Sequence, residues 1–289
     1  MASAPMVRHG TLYVVATPIG NPDDITLRAL KVLAEVDLIA AEDTRKTGQL
    51  LAHHGIQGRL TAYHEHNELR KTPELINQIQ TGASVAVVSD AGTPSVSDPG
   101  FRLVRAALAA GLSVVPIPGV SAAITALSVS GLPTDAFVFV GFAPRKTAAR
   151  RRLFERLAPL TETMIFYESP RRITGLLADL AEICGDRQAA LGREMTKTYE
   201  EFLRGPLSSL RSQLTERPAV RGEVTLLMAG AAEREEMDVD LLRTTLQEAL
   251  QNGAISFSQA VQITARQLEI PRRQVYQLAL HLKDRTNGD

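Results

Sequence analysis

The stretch best suited to bind a ligand is Ser-Asp-Ala-Gly-Thr-Pro-Ser-Val-Ser-Asp-Pro-Gly at residues 89–100. It follows the largely β-branched run 84–88, which is typical of a buried parallel strand, and it precedes a helical pattern that begins at Phe101. Small residues let the backbone approach a ligand closely, and Asp90 and Asp98 supply hydrogen-bond acceptors. Because ligands of open α/β sheets bind outside the carboxyl ends of the strands, this loop predicts a ligand site. A long surface loop built from turn residues is the alternative interpretation.

Two further strand ends carry residues of the same kind. The apolar run 11–16 continues into Thr-Pro-Ile-Gly-Asn at 17–21, and the run 38–41 continues into Glu-Asp-Thr-Arg at 42–45. Neither G-x-G-x-x-G nor G-x-x-x-x-G-K-[ST] occurs in the chain, so these loops indicate neither a dinucleotide-binding nor a nucleoside-triphosphate-binding fold. Three strand ends of this type predict one ligand cleft.

The composition is that of a globular protein. The 289 residues are 44% hydrophobic and 22% charged, and this length allows two domains. No apolar run reaches the roughly 18–20 residues of a membrane span, and the first residues lack the basic-then-apolar order of a signal peptide. The single cysteine, Cys184, ends a largely apolar run and indicates a core residue rather than a disulfide or a metal cluster. We therefore expect a cytoplasmic protein with no membrane contact.

The charge balance does not indicate a nucleic-acid partner, because 32 basic and 32 acidic residues give a net charge of zero. Phosphate binding would have to come from a local cluster of cations. The best candidate is the basic run 145–152, which carries Arg145, Lys146, Arg150, Arg151 and Arg152. A solvated helix face is the alternative interpretation of the same run.

From residue 11 to about 130, short apolar runs alternate with helical periods. The predicted strands are 11–16, 38–41, 60–63, 85–89 and 114–117, and the predicted helices are 26–36, 44–53, 72–80 and 101–110. Thr72 before Pro73 reads as an N-cap followed by proline at the first helical position. This alternation predicts a parallel sheet with helices on both faces, in an N-terminal α/β domain over residues 1–130.

A second α/β domain is predicted over residues 131–230. Its predicted strands are 137–141, 163–167, 189–193, 200–204 and 223–228, with helices at 148–157, 171–184 and 207–215, and part of the pairing is expected to be antiparallel. The tail, residues 236–289, is helical in pattern. Two short predicted helices, 258–268 and 271–282, have the layout of a helix-turn-helix.

Six loop motifs, taken together and in order, resemble the ribosomal-RNA branch of the tetrapyrrole-methylase superfamily. They are TPIGN at 17–21, EDTR at 42–45, YHEHNE at 63–68, the loop 89–100, FYESPRR at 166–172 and GREMTK at 192–197. The resemblance extends from about residue 11 to 230, and the tail resembles a helix-turn-helix segment that many bacterial members carry. It implies two αβα domains with S-adenosylmethionine in the cleft between them, in a homodimer. The implied activity is methylation of the ribose 2′-oxygen of a cytidine in the decoding centre of 16S rRNA, within the 30S ribosomal subunit.

The resemblance also implies which residues touch the cofactor. S-adenosylmethionine requires backbone donors and acceptors, a few carboxylates and an apolar wall. The residues expected to supply these are Pro18, Gly20, Asp90, Gly92, Thr93, Ser121, Ala122 and Tyr167.

Methylation of a ribose hydroxyl depends mainly on holding oxygen, methyl carbon and sulfur in line, with help from a general base. Glu42, Asp43 and Lys197 are candidates for the base, with Lys197 requiring a lowered pKa, and Glu168 and Glu194 are further candidates. Arg45 and Arg193 are expected to hold RNA phosphate. The alternative is an ion-pair network in which the carboxylates only orient the loops.

No metal site is expected. His64 and His66 flank Glu65, but a His-x-His pair without a third ligand at helical spacing is weak evidence for a metal. These side chains are interpreted as polar loop groups near the substrate.

Two other functions stay open. The first is methylation of a small tetrapyrrole on the same fold, which the loop TPIGN disfavours because that branch carries Gly-x-Gly-Pro-Gly-Asp there. The second is non-enzymatic binding of a ribosome or nucleic acid through the helical tail. Polar loops at so many strand ends disfavour it.

Overall fold

The computed structural model describes residues 7–232, 239–251, 256–268, 272, 275 and 276. The chain forms two compact units, Met1–Ala231 and Ala232–Asp289. Both predicted α/β segments, 1–130 and 131–230, lie in the first unit. Their boundaries, and that of the tail at 236, stay a prediction.

The first sheet is entirely parallel. Its strands are β1 (Thr11–Val15), β2 (Leu38–Ala41), β3 (Leu60–Ala62), β4 (Val85–Val88) and β5 (Ser113–Ile117), in the order β3-β2-β4-β1-β5. Every residue of β4 is buried, as a central parallel strand covered on both faces requires. All five carboxyl ends therefore meet at one edge of the sheet.

Helices cover both faces of this sheet, as predicted. They are α1 (Leu27–Glu35), α2 (Thr44–His53), α3 (Glu68–Gln80) and α4 (Phe101–Ala109). Alternate residues of β4 point to opposite faces: Ala86 packs with α1 and α2, whereas Val87 packs with α3 and α4. Two separate apolar cores result, one on each side of the sheet.

The second sheet is mixed and follows the first along the chain. Its strands are β6 (Phe137–Phe142), β7 (Thr163–Glu168), β8 (Gln188–Arg193), β9 (Glu201–Pro206) and β10 (Val224–Met228), in the order β6-β7-β10-β8-β9. Only β6 and β7 pair in parallel, and the other three pairings are antiparallel. The prediction of partly antiparallel pairing is confirmed.

The remaining helices of the first unit pack against the second sheet. They are α5 (Ala122–Ser128), α6 (Thr147–Leu157), α7 (Ile173–Cys184) and α8 (Leu207–Thr215). The last three share a core around Phe154, whereas α5 packs on the opposite face with Ile165 and Leu227. Ile19, from the loop after β1, joins this second cluster, so a loop of the first sheet is packed on the second sheet.

Two predictions about helices were wrong. Helix α5 was not predicted, and α3 begins at Glu68 after Asn67, four residues before the predicted start at Thr72. Pro73 therefore lies inside α3, not at its first position. The Thr72 hydroxyl donates to the Glu68 carbonyl at 2.7 Å, so it bonds back along the helix and does not cap it.

The second unit is helical where the structure describes it. It contains α9 (Val239–Gln251) and α10 (Phe257–Gln267), and Ser256 and Gln259 form a capping box at the start of α10. Leu246 and Val261 lie in its apolar core. Most of the predicted second helix of the helix-turn-helix, 271–282, lies outside the described residues. Across the described part of the chain, none of the helices combines the length and the apolar character that a membrane span needs.

Candidate active site

The loops after β1 and β4 are joined by backbone hydrogen bonds. Thr17 N donates to Gly92 O at 2.9 Å, and Gly92 N donates to Thr17 O at 3.0 Å. The Thr17 hydroxyl also donates to Ser89 O at 3.0 Å. Gly92 has φ +78°, a conformation that side chains other than glycine rarely adopt, which explains the glycine at this turn. The pairing holds the two loops together at the carboxyl edge of the first sheet.

The start of α2 is bound to the loop after β4 through Asp90. Its carboxylate accepts from Asp43 N at 3.0 Å and pairs with Lys46 Nζ at 2.7 Å, while Asp90 N donates to Glu42 at 3.1 Å. Asp43 caps α2 and also binds the guanidinium of Arg45, whose hydrogen bonds hold the pKa of Asp43 well below its usual range. The ion-pair interpretation of these residues accordingly has direct geometric support.

A cavity of about 360 Å³, which we call the apolar pocket, lies between loops of the first sheet and residues of the second. Five of the residues predicted for the cofactor line it: Gly92, Thr93, Ser121, Ala122 and Tyr167. The Tyr167 hydroxyl accepts from Ala123 N at 3.2 Å, which fixes the ring at the first turn of α5. Burial raises the pKa of Tyr167, so the hydroxyl stays protonated.

The other three predicted cofactor residues, Pro18, Gly20 and Asp90, line a neighbouring side pocket of about 430 Å³. The two pockets share Ile19, Ala91 and Glu223. The structure therefore places the predicted set around two adjoining cavities.

Lys197 lies in the side pocket and is held by two carboxylates. Its ammonium binds Glu194 at 2.9 Å and Glu223 at 3.0 Å. Desolvation works against the charged form, but the hydrogen bonds to these carboxylates outweigh it and raise the pKa of Lys197. A protonated amine suits a positioning role and not that of a base.

Gly20 is where the first-sheet loop meets the loop after β8. A Cβ at this position would lie 2.6 Å from Lys197 Cγ and 2.7 Å from Thr196 Oγ1, so any larger residue would separate the two loops. Asn21 N donates to the same Thr196 hydroxyl at 2.9 Å. The predicted motifs at 17–21 and 192–197 are thus in direct contact.

A third cavity, the polar pocket, has a volume of about 580 Å³ and shares Ser97 and Asp98 with the apolar pocket. Among its other lining residues are Glu42, Glu65, Glu68, Phe101, Arg102 and Arg105. Of the four predicted catalytic residues, Glu42 lines this pocket and Lys197 lines the side pocket, whereas Asp43 and Arg45 bind each other at the start of α2.

Asp98 stands where the apolar and polar pockets meet. Burial raises its pKa to about 7, the nearby charges of Glu42, Asp90 and Glu223 add to that rise, and a hydrogen bond from Ser89 opposes it. Sequence reasoning noted Asp98 as an acceptor but did not select it as a site residue. The neighbouring Ser97 has φ +64°, a strained conformation for serine that is typical of functional loops.

The residues that the second sheet contributes were mostly missed. Phe142, Met195, Glu223 and Thr225 line the apolar pocket together with Tyr167, the one second-sheet residue that was predicted. Glu168, a further candidate base, also lines it but is buried and paired with Arg172 at 3.1 Å. No sequence motif marks the start of β10, so its approach to this cavity depends on strand pairing.

The basic run 145–152 is divided in two by the structure. Arg150 pairs with Asp179 at 2.5 Å with 12% of its side chain exposed, and Arg151 binds Glu182 through both nitrogens. Arg145, Lys146 and Arg152 are exposed. The last three are therefore the members available to a phosphate.

His64 and His66 have no acidic or cysteine partners arranged for a metal. In the part of the chain that the structure describes, no group of three or more His, Cys, Asp or Glu side chains could hold a metal ion. Cys184 packs against the core around Phe154, and burial raises the pKa of its thiol.

Comparison with known proteins follows from this architecture. A family model described as Tetrapyrrole (Corrin/Porphyrin) Methylases matches residues 11–211, which cover both sheets up to α8. The chain belongs to the tetrapyrrole methylase family. The resemblance inferred from the six loop motifs is thereby confirmed, as is the fold class of two α/β layers with helical additions.

Relatives within this family carry one name. Ribosomal RNA small subunit methyltransferase I of Micromonospora olivasterospora is 46% identical over 93% of this chain and 86% of its own length. The proteins of that name from Halalkalibacterium halodurans and Streptococcus pyogenes serotype M1 are 44% and 47% identical, each over 93% of this chain and 94% of their own length.

Solved structures of the family show the same fold. Uroporphyrin-III-C-methyltransferase from Thermus thermophilus aligns with a TM-score of 0.56 at 24% identity, over 77% of this chain and 95% of its own. A structure of that enzyme complexed with S-adenyl homocysteine aligns with a TM-score of 0.54 at 19% identity, over 75% of this chain and 96% of its own.

The raised pKa of Asp98 predicts a measurable effect on stability. Between its ordinary value of 3.8 and about 7, the folded chain holds a proton on Asp98 that the unfolded chain has lost, so this carboxyl lowers stability as pH rises. We expect Asp98→Asn to raise the melting temperature at pH 8 and to have little effect near pH 4. The matched control is Asp135→Asn, at an exposed aspartate. Equal shifts for both variants at pH 8 in thermal unfolding would contradict the burial of Asp98.

Proposed function

We propose that this chain is an S-adenosylmethionine-dependent methyltransferase that methylates the ribose 2′-oxygen of a decoding-centre cytidine in 16S rRNA. Relatives named for ribosomal RNA at 44–47% identity, over nearly the whole chain, are the observation that carries the substrate. The family carries the reaction type. The substrate form is the 30S subunit, the location is the cytoplasm, and the active species is a homodimer.

The apolar pocket has the chemistry that S-adenosylmethionine needs. Its walls include Ile19, Phe142 and Tyr167, and hydroxyls come from Thr93 and Ser121. Three carboxylates line it, those of Asp98, Glu168 and Glu223, and no Lys or Arg stands among its described lining residues. An apolar cavity edged by carboxylates suits a ligand that carries a sulfonium and an ammonium group. The complex of a fold neighbour with S-adenyl homocysteine supports the same assignment.

When bound, S-adenosylmethionine supplies an electrophilic methyl group. The chain's own contribution is to hold the ligand between two sheets, so that the methyl carbon and the acceptor oxygen stay in line. Gly92 and Thr93 on the first sheet, and Tyr167 on the second, would fix the ligand from both sides.

Methylation of a small tetrapyrrole is the competing function. The solved tetrapyrrole enzymes share this fold, but at 24% identity or below they support nothing about substrate. The relatives with ribosomal names are about twice as similar in sequence. The rRNA assignment is accordingly the better supported of the two.

The first prediction concerns the cofactor. Ala122 lies in the first turn of α5 and lines the apolar pocket, so Ala122→Leu fills the pocket without a strained backbone. We expect calorimetry to show a loss of at least 100-fold in S-adenosylmethionine affinity. Ser128→Leu, exposed on the same helix, is the matched control and should bind normally. Normal binding by Ala122→Leu would exclude the apolar pocket as the cofactor site.

A second prediction concerns the product. Purified chain and labelled S-adenosylmethionine are incubated with 30S subunits, with free 16S rRNA and with a porphyrinoid, and the digested nucleosides are analysed by mass spectrometry. We expect a 2′-O-methylcytidine from the 30S subunits and no label in the porphyrinoid. Label on a base, or in the porphyrinoid only, would contradict the proposed function.

The third prediction concerns the RNA-binding surface. Arg145 lies three residues beyond Phe142 of the apolar pocket, a distance of at most about 10 Å along the chain. We expect Arg145→Ala, Lys146→Ala and Arg152→Ala together to reduce the dependence of log affinity for 30S subunits on log salt by about two to three, close to one per phosphate. Arg211→Ala, an exposed arginine on α8, should leave the slope unchanged. An unchanged slope in the triple variant would show that the RNA binds elsewhere.

A further inference from the structure

The polar pocket is the unused half of the site. It adjoins the apolar pocket, and the two cavities share only Ser97 and Asp98 among their lining residues. If the apolar pocket holds the methyl donor, a methyl acceptor must reach it from a neighbouring cavity. The polar pocket is larger, at about 580 Å³, and its lining is charged where that of the apolar pocket is mainly apolar.

Phe101 gives this pocket a surface on which a base could stack. It is the first residue of α4, and 61% of its surface is exposed even though the Arg105 guanidinium lies over the ring at 5.8 Å from its centroid. Exposing a large aromatic ring to water is unfavourable without a partner. Base–aromatic stacking is the common way in which proteins hold single-stranded or extruded nucleotides.

The charged residues of the pocket match the remaining groups of a cytidine nucleotide. Carboxylates accept hydrogen bonds from the exocyclic amine of cytosine, and Glu42 and Glu65 line the pocket. Glu68 is already bound by Arg102 Nε at 2.6 Å. Arg102 and Arg105 place two guanidinium groups on the same wall, where a backbone phosphate could pair with them.

From this juxtaposition we infer that the polar pocket holds the acceptor nucleoside, extruded from the RNA and stacked on Phe101, with Asp98 facing its 2′-hydroxyl at the junction with the apolar pocket. The inference rests on the proposed function and adds to it the location of the acceptor and the identity of the base. Neither Phe101 nor Asp98 was among the predicted catalytic residues.

The proton balance of the transfer then follows. The 2′-oxygen forms a bond to the methyl carbon as the carbon–sulfur bond breaks, and the electron pair of that bond stays on sulfur. The proton of the 2′-hydroxyl passes to the Asp98 carboxylate, which later releases it to water.

The groups that face Asp98 suit this role. Glu42 and Asp90 approach it from the first sheet and Glu223 from the second, while Ser89 donates a hydrogen bond to it. Glu65, Glu68, Arg102 and Arg105 line the same pocket as Asp98. Burial and the three carboxylates raise the pKa of Asp98 to about 7, close to the operating pH of an efficient general base.

The first test compares two exposed apolar residues of α4. Phe101→Ala should lower kcat/KM for 30S subunits by about tenfold or more, the effect of one lost base–aromatic stack. It should also weaken binding of 30S subunits to the chain saturated with S-adenosylhomocysteine. Leu108→Ala, at 60% exposure and outside the pocket, is the matched control and should change neither value. S-adenosylmethionine affinity should be the same in both variants.

The second test measures the dependence of methylation on pH. In the wild type, log kcat/KM should fall with unit slope as pH decreases below about 7, because the base becomes protonated. Asp98→Asn should lower kcat by about 100-fold or more and remove this inflection. A wild-type rate in Asp98→Asn, or an unchanged inflection, would overturn the role of Asp98.

The outcomes separate this inference from the proposed function. A wild-type chain that leaves 30S subunits unmethylated would contradict the proposed function and this inference with it. An active wild type in which Phe101→Ala and Leu108→Ala behave alike, in both rate and binding, would contradict the nucleoside pocket only.

Discussion

The pairing of Thr17 with Gly92 is the constraint on which the site depends. A parallel sheet brings all its carboxyl ends to one edge, where the loops lose their strand partners and must satisfy their polar groups among themselves. Two reciprocal backbone hydrogen bonds do this for the loops after β1 and β4. With Gly92 fixed, the loop 89–100 can line three cavities without collapsing onto the sheet.

The same loops carry the distribution of charge. Asp90 binds the amide of Asp43 and the ammonium of Lys46, so one cation is held in the side pocket beside a carboxylate. Lys197 is held there by Glu194 and Glu223. Asp98, by contrast, faces mainly other carboxylates, which is why its pKa rises while that of Asp43 falls. Pairing with cations therefore separates structural carboxylates from the one suited to proton transfer.

The second sheet completes the site because α5 crosses to it. Ala126 and Leu127 of this helix, which follows β5 of the first sheet, pack with Ile165 and Leu227 of the second. Gly20 fits against Lys197 with no room for a side chain. These contacts fix the distance between the two walls of the apolar pocket.

Sequence patterns predicted the first sheet well and the second wall of the site poorly. Strand β2 and helices α2 and α8 have the predicted bounds, because their apolar periods are ended by strong capping or turn residues such as Asp43. Helix α5 was missed because it is seven residues long and its N-cap, Ser121, makes no capping hydrogen bond. Glu223 and Thr225 could not be predicted as lining residues, since they reach the pocket only through antiparallel pairing of β10 with β7 and β8.

Charge partners were equally hidden from the sequence. Arg150 and Asp179 are far apart in the chain and meet only when α6 packs on α7, so a run of five cations looked like one surface. The raised pKa of Asp98 likewise depends on carboxylates from β2, β4 and β10 meeting around one loop. Long-range packing, and not local pattern, decides these features.

The central claim is that donor and acceptor occupy two cavities that meet at Ser97 and Asp98. An experimental structure of the chain with S-adenosylhomocysteine and a decoding-centre RNA tests it most directly. The account predicts the thioether sulfur on the apolar side of Asp98 and the ribose 2′-oxygen on the polar side, with the base against Phe101. An adenosyl group in the polar pocket, or a nucleoside that enters through the side pocket past Lys197, would contradict it.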